Sequence, residues 1–535
     1  MSDSETNVLV PEQRRCAIRV LIVAESRIHF KDTSPIDGFS LTELIEKALR
    51  VTPRPWEELK ITTARRLVAN NPEFDPDDDK CADIPNFTFS RSLFGIDKYD
   101  QVWLFGDFGE EEETPLDQSE LEVLSRFMNA GGGVFATGDH ENLGYAMCGN
   151  VPRVRSMRKW CFKNCRSTDL KAPGKLDATR LDTLRQGVDP GFQGSDQSDN
   201  MPQEIRPKFF LEPAGTGAHP HPLLVDGQFA ITVLPDHMHE GECVVPTDLG
   251  KQLKFNDYVF DEYPDVGATP VRMPPQSVAL SISAGGRLLD QLDTLLPIEP
   301  RAFSPIVAYD GHQVLIDGKQ LGRVVVDSSF HHFLDINLRG TTHPVTRGLY
   351  DSKRHPTSDY EVLKEYYRNI ARFLCPPPLR LNYYRALLLD LRFRMPLVET
   401  LVPIPNPTPV DCISAGVLTE QALTQRYSRA ETLQCVLALI STLHDELRRP
   451  LASLIDPWLP APLAVGVNNP AVDFTVLIRL VLGAAIVGIS SELPLVSSLV
   501  NNERDNGSDP QRNLAEVISL ALSQSSHAQP QSESI

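Results

Sequence analysis

Three strand signatures that end abruptly on acids limit the fold of this chain more than any other feature. AIRVLIVAES (17–26), YDQVWLFGD (99–107) and GGGVFATGDHE (131–141) are apolar runs that stop on Glu25-Ser26, Gly106-Asp107 and Gly138-Asp139-His140-Glu141. A continuous run of β-branched and aromatic residues fits a strand covered on both faces, as parallel strands are. LKITTARR (59–66) reads as a further strand. SLTELIEKAL carries apolar residues at helical spacing, with Ser40 as the expected N-cap. DQSELEVLSRFMNAGGG is an amphipathic helix closed by glycines that supply a left-handed C-cap. Strand, helix and strand joined by short links predict an α/β fold with a mostly parallel sheet and right-handed crossovers. In such sheets the working groups collect beyond the carboxyl ends of the strands.

From about 151 to 207 the alternation stops, and the chain reads as an insertion. Its first part, VPRVRSMRKWCFKNCR, holds six Lys or Arg, at 153, 155, 158, 159, 163 and 166. Two readings apply: a patch that draws an anionic substrate towards the sheet edge, or, the favoured one, a solvated helix face. Strand signals return at FAITVLP (229–235), SVALSIS (277–283), SPIVAYDGHQVL and GRVVVDSSF (322–330). The helix DYEVLKEYYRNIARFL stops at CPPP, where prolines cannot continue it, and this marks a domain boundary. The expected organisation is a flexible N-terminus (1–14), an α/β domain over 15–376, a helical accessory domain over 380–500 and a mostly disordered tail over 501–535.

A chain of 535 residues exceeds one compact core. Its formal net charge of −19 argues against a general nucleic-acid binder, which needs excess Lys and Arg for phosphates. The polar start lacks the apolar stretch of a secretory signal. Nine scattered cysteines fit reduced thiols rather than a disulfide framework, and the one close pair, Cys161 and Cys165, has no second pair to complete a zinc site. The apolar stretch LVLGAAIVGI (480–489) is about half of a bilayer crossing and reads as a buried helix. These features predict a cytoplasmic protein without membrane or nucleic-acid partners.

Three clusters hold most of the informative histidines, and each follows a strand. GDHE contributes Asp139, His140 and Glu141; LPDHMHEGE contributes His237, His239 and Glu240; DSSFHHFLD contributes His331, His332 and Asp335. Residues i and i+2 of an extended segment point the same way, so His237 and His239, with Glu240 nearby, form a candidate site for a divalent metal. Mixed imidazole and carboxylate ligands suit zinc, iron or manganese. The turn after GVFAT carries no Cys or Ser, which disfavours acyl transfer through a thiol. General acid–base chemistry remains, with Asp139, His140, Glu141, His331 and His332 as catalytic candidates. Glu25, Asp107 and Asp335 are the candidates for holding substrate.

In order and wording, YDQVWLFGD, NAGGGVFATGDHE, HPLLVDGQFAITVLPDHMHEGE and GRVVVDSSFHHFLDINL…YYRNIARFL resemble class I glutamine amidotransferase-like domains, in particular the ThuA-like (trehalose-utilisation) branch. The resemblance spans roughly residues 15 to 376. It implies a flavodoxin-like three-layer sandwich, with His140 at the elbow and His331 or His332 on the last strand. Amidotransferases carry a Cys at the elbow; here it reads Gly138-Asp139-His140, against glutamine hydrolysis. The expected function is a hydrolase or lyase acting on a small polar substrate, a carbohydrate derivative being one class. The alternative is a non-catalytic module binding a ligand or protein, with the helical C-terminal region mediating a protein partner or a homo-oligomer.

Overall fold

The computed structural model describes residues 16–25, 27–31, 38–66, 82–109, 115–139, 143–160, 202–212, 217–227, 229–235, 241–266, 271–283, 286–289, 295–298, 301–340, 348–394, 407–441, 443, 448, 451–452, 454–458 and 473–499. The described residues form two compact units. One comprises Ala17–Lys208 and Leu223–Pro377; the other comprises Cys16, Phe209–Pro222 and the residues from Pro378 on.

A seven-stranded sheet organises the α/β unit. Its strands are β1 (Cys16–Ala24), β2 (Glu57–Arg65), β3 (Gln101–Phe105), β4 (Gly133–Thr137), β5 (Gln276–Ser277), β6 (Ile306–Tyr309) and β7 (Val324–Asp327), in the order β5-β6-β7-β4-β3-β1-β2. β1, β3, β4 and β7 run parallel, whereas β6 is antiparallel to β7 and β5 to β6. Ala24 pairs with Phe105, Phe105 with Thr137, and Thr137 with Asp327. Four strands therefore finish on one rung, and the residues that follow them emerge along one edge. Val102–Phe105, Val134–Ala136 and Val324–Val326 are all buried, which accounts for their unbroken apolar sequence.

The expected helix after β4's predecessor strand is α1 (Gln118–Asn129). Asp117 caps it by accepting from the amides of Ser119 and Glu120, and Glu120 returns a bond to the Asp117 amide. SLTELIEKAL forms a π-helical segment, Glu43–Leu49, but Ser40 is not its cap. Instead the Ser40 hydroxyl donates to Asp335 Oδ2 at 2.7 Å, and Asp335 Oδ1 accepts the Glu43 amide at 2.8 Å. A side chain nearly 300 residues away thus supplies the cap. α2 (Ser358–Phe373) carries Tyr366 and Tyr367 into the interior.

In the other unit the prolines that end α2 also begin a helix, since the first turn needs no amide donors: α3 runs Pro377–Arg394. α4 (Pro409–Arg426), α5 (Arg429–Ile440) and α6 (Phe474–Leu499) follow. α4 and α6 cross at a pair of glycines. A Cβ on Gly416 would lie 1.8 Å from the Arg479 carbonyl oxygen, and one on Gly483 would lie 1.6 Å from that of Cys412. A short hairpin, Phe209–Leu211 with Ala218–Pro220, belongs to this unit. Glu212 in its turn accepts from Arg429 at 2.9 Å and pairs with His219 at 2.6 Å. Among the described residues no helix is long and apolar enough to cross a membrane.

Candidate functional site

The turn after β4 is built by glycines. The Asp139 amide donates to the Leu143 carbonyl at 3.1 Å. Gly144 sits at φ +88°, and a Cβ there would come within 2.9 Å of the Gly106 carbonyl oxygen and 2.8 Å of the Gly138 Cα. The turn therefore lies directly against the end of β3, and only glycine allows both the backbone angle and the approach. His140 and Glu141 fall outside the described residues.

Asp139 points inward and is fully buried. Its Oδ1 accepts the Ser329 hydroxyl at 2.8 Å, and its Oδ2 lies 3.4 Å from His331 Nε2. His331 Nδ1 is 3.0 Å from Asn337 Oδ1, so polar partners fix both ring nitrogens. The Ser329 hydroxyl also accepts the His331 amide at 3.1 Å, which ties the His331 backbone to the same carboxylate. His331 keeps 15% of its side chain exposed, while Asp139 is sealed. Proton transfer at such a ring has to replace one of these two contacts, of which the 3.4 Å one to Asp139 is the longer.

The adjacent His332 faces the interior. Its Nδ1 is 2.6 Å from Asp327 Oδ1, and that carboxylate also accepts the Ser329 amide at 3.1 Å and the Tyr366 hydroxyl at 2.7 Å. Tyr367 donates to the His332 carbonyl at 2.6 Å. His332 Nε2 is buried and has no hydrogen-bond partner among the described residues. Consecutive histidines thus differ in role: one stands at the rim beside Asp139, the other completes a buried Asp–His–Tyr network.

The three arginines of the basic cluster that lie among the described residues do not form a solvated face; Lys163 and Arg166 fall outside the described residues. Arg153, Arg155 and Arg158 are all buried. Arg155 pairs with Glu262 at 2.6 Å, and Glu262 also accepts the Arg153 amide at 2.7 Å. Arg158 donates to the carbonyls of Asp139 and Ser328, clamping the end of β4 to the end of β7. Its guanidinium also lies 4.5 Å over the Trp160 ring. Burial draws the Arg158 pKa down, and the nearby Asp139 and Asp327 carboxylates oppose that shift.

At the other side of the edge, Glu25 Oε2 accepts the amides of Asp107 and Phe108 at 2.7 and 2.9 Å. Burial, with the Glu25 charge adding to it, pushes the Asp107 carboxyl well above the ordinary range. Asp335 lies apart from this row, at the start of the Glu43–Leu49 segment that it caps, and burial raises its pKa to about 7. Cys148 and Cys243 are buried near the strand ends, and burial pushes both thiols up, away from the thiolate form.

The structure therefore brings Glu25, Asp107, Asp139, His331 and His332 to the carboxyl ends of neighbouring strands. The candidate metal ligands His237, His239 and Glu240 lie outside the described residues. Among the described residues, no group of three or more His, Cys, Asp or Glu is arranged to hold a metal ion. Sequence reasoning missed Ser329, Asn337, Arg158 and Tyr366. The Ser-Ser pair directly after β7 was a usable signal for Ser329, which also caps the short helical turn Phe330–His332. Nothing local marks Asn337 or Arg158, whose partners are set by the tertiary fold.

Residue by residue, these contacts define an α/β protein with a His- and carboxylate-lined sheet edge. No protein-family model matches the chain, and no curated protein matches its sequence.

Proposed function

We propose that this chain is an enzyme of the hydrolase or lyase type that performs general acid–base chemistry on a small polar substrate at the carboxyl edge of the sheet. The observation that carries the reading is the partly exposed His331 ring, held between a sealed carboxylate and Asn337. We assign the α/β unit to the flavodoxin-like three-layer class. Its order β2-β1-β3-β4-β7 follows the 2-1-3-4-5 order of that class, in which ligands sit where the strand order reverses. Here the reversal falls between β1 and β3, where Glu25 and Asp107 stand. The resemblance to the ThuA-like branch of amidotransferase-like domains agrees with this order and makes carbohydrate derivatives the first substrates to test. The Asp at the elbow and the buried thiols of Cys148 and Cys243 argue against a Cys-dependent amidotransferase reaction. We further assign assembly, with a second copy or a protein partner, to the helical unit. There Val410 and Val417 stand exposed two turns apart on α4, and light scattering of Val410→Asp beside the wild type tests this.

The functional test is a thermal-shift screen across sugars, sugar acids and their esters, followed by turnover of the stabilising class. A ligand at about a hundred times its Kd adds about 2.7 kcal/mol of stability. His331→Ala is expected to abolish turnover, with a modest fall in the unliganded melting temperature because Asp139 and Asn337 lose a partner, while the folded state remains. Full turnover in that variant refutes the reading.

A further inference from the structure

We infer that Glu25 and Asp107, at the neighbouring carboxyl ends of β1 and β3, hold one proton between them, with Asp107 as the neutral acid and Glu25 as the carboxylate. The use assigned to this pair rests on the acid–base reading above; its existence does not.

Two backbone amides donate to Glu25 Oε2, at 2.7 and 2.9 Å, and donors of this kind favour an ionised carboxyl. Asp107 has the opposite surroundings. Its side chain is buried, and among the described residues neither carboxyl oxygen accepts a hydrogen bond from an N–H or O–H group. An ionised Asp107 would bear the desolvation penalty of a buried charge without a donor to offset it. A neutral Asp107 instead donates its own O–H to Glu25 and forms a charge-assisted bond. Two arginines stand near the pair among the described residues. Arg27 lies 4.2 Å over the Phe108 ring, and Arg65 donates to the carbonyls of Glu25 and Ile28. Both arginines favour ionisation of Asp107; burial and the Glu25 charge oppose them and prevail. On the Glu25 side lies the buried Cys148 thiol.

Position gives the pair its use. Phe105 and Thr137 pair across β3 and β4, so Asp107 and Asp139 each lie two residues past the same rung. Strands are about 4.8 Å apart, which puts β7 and the His331 turn about 10 Å from the stored acid. Both Asp107 oxygens are buried, so the pair acts on the site by setting the charge at the β1 and β3 side of the edge rather than by touching substrate.

The test reads the proton itself, by infrared spectroscopy of the full chain carrying 13C-carboxyl aspartate. The measurement is made one pH unit above the Asp335 midpoint of about 7, where Asp335 is mostly ionised. A protonated-acid carbonyl band that moves on labelling is expected, and Asp107→Asn removes it. Glu25→Gln, whose amide donates to Asp107, is expected to ionise Asp107 and remove the same band. Absence of a label-sensitive acid band in the wild type overturns the proposal without recourse to any variant. A band that survives either substitution in the folded protein belongs to another aspartate and overturns it too. Because no turnover is read, a failure here and a failure of the enzyme reading are separately visible.

Discussion

Asp335 gives the sharpest test of how burial and hydrogen bonding compete in this fold. It accepts the Ser40 hydroxyl and the Glu43 amide, both of which favour the carboxylate, yet burial outweighs them and holds its pKa at about 7. An unfolded Asp titrates near 3.9. Between about pH 4 and pH 7 the folded chain therefore keeps a proton that the unfolded chain releases, so stability falls as pH rises through this window. The gap is about 3 units at about 1.36 kcal/mol each, or about 4 kcal/mol in full. Arg339 Nε, 3.5 Å from Asp335 Oδ2 and partly exposed, favours the carboxylate and trims this to about 2–4 kcal/mol.

Asp335→Asn keeps the shape and removes the charge. Its Oδ1 can accept the Glu43 amide, and its Nδ2 can donate to the Ser40 oxygen. The variant should match the wild type near pH 4 and exceed it by about 2–4 kcal/mol above pH 7, where the difference levels off. Urea denaturation at a series of pH values measures this. A Trp458→Phe background confines the tryptophan signal to Trp56, Trp103 and Trp160, all in the α/β unit. Parallel pH profiles for the two proteins would refute the reasoning. A variant less stable than the wild type above pH 7 would show that the hydrogen bonds and Arg339 outweigh burial.

Gly416→Ala and Gly483→Ala each drive a Cβ into a backbone carbonyl of the facing helix, where no side chain can yield. Each should lower stability by about 3 kcal/mol or more, read as a fall in the melting temperature of the helical unit. Tyr366→Phe removes a donor from the buried Asp327 carboxylate and should cost about 1–3 kcal/mol, seen as a lower urea midpoint. Cys148 and Cys243 should resist a thiol reagent in the native protein and react once it is denatured; fast native labelling of either, located by peptide mapping, would contradict their burial.

Much of the α/β unit was legible because its signals are local. A fully buried parallel strand must be apolar throughout, so β1, β3 and β4 announce themselves, and GVFAT matches β4 residue for residue. The acids after these runs were legible for the same reason, since the apolar run stops where the strand does. Signals that depend on a distant partner misled. Ser40 looked like a cap, and the true cap is Asp335, a residue with no sequence mark of that role. The arginines at 153, 155 and 158 looked like a solvent-facing cluster because their compensation, Glu262 and two strand-end carbonyls, comes from elsewhere in the chain. The Phe209–Pro222 hairpin groups with helices that begin more than 150 residues later, a relation that periodicity cannot encode.

The buried arginine explains how so many acids can share one edge. Asp139 and Asp327 end neighbouring strands, and both are fully buried. Two such carboxylates would repel each other strongly in a medium of low polarity. Arg158 sits between them, yet its guanidinium bonds to the backbone carbonyls of Asp139 and Ser328 rather than to either carboxylate. It can therefore supply positive potential to both acids without occupying their oxygens, which remain open to Ser329, His331, His332 and Tyr366. A lysine, with one ammonium in place of a planar fork, could not bridge two carbonyls with the same geometry. The arrangement separates charge balance from hydrogen bonding, and that separation leaves the Asp139 carboxyl free to hold His331 at the rim.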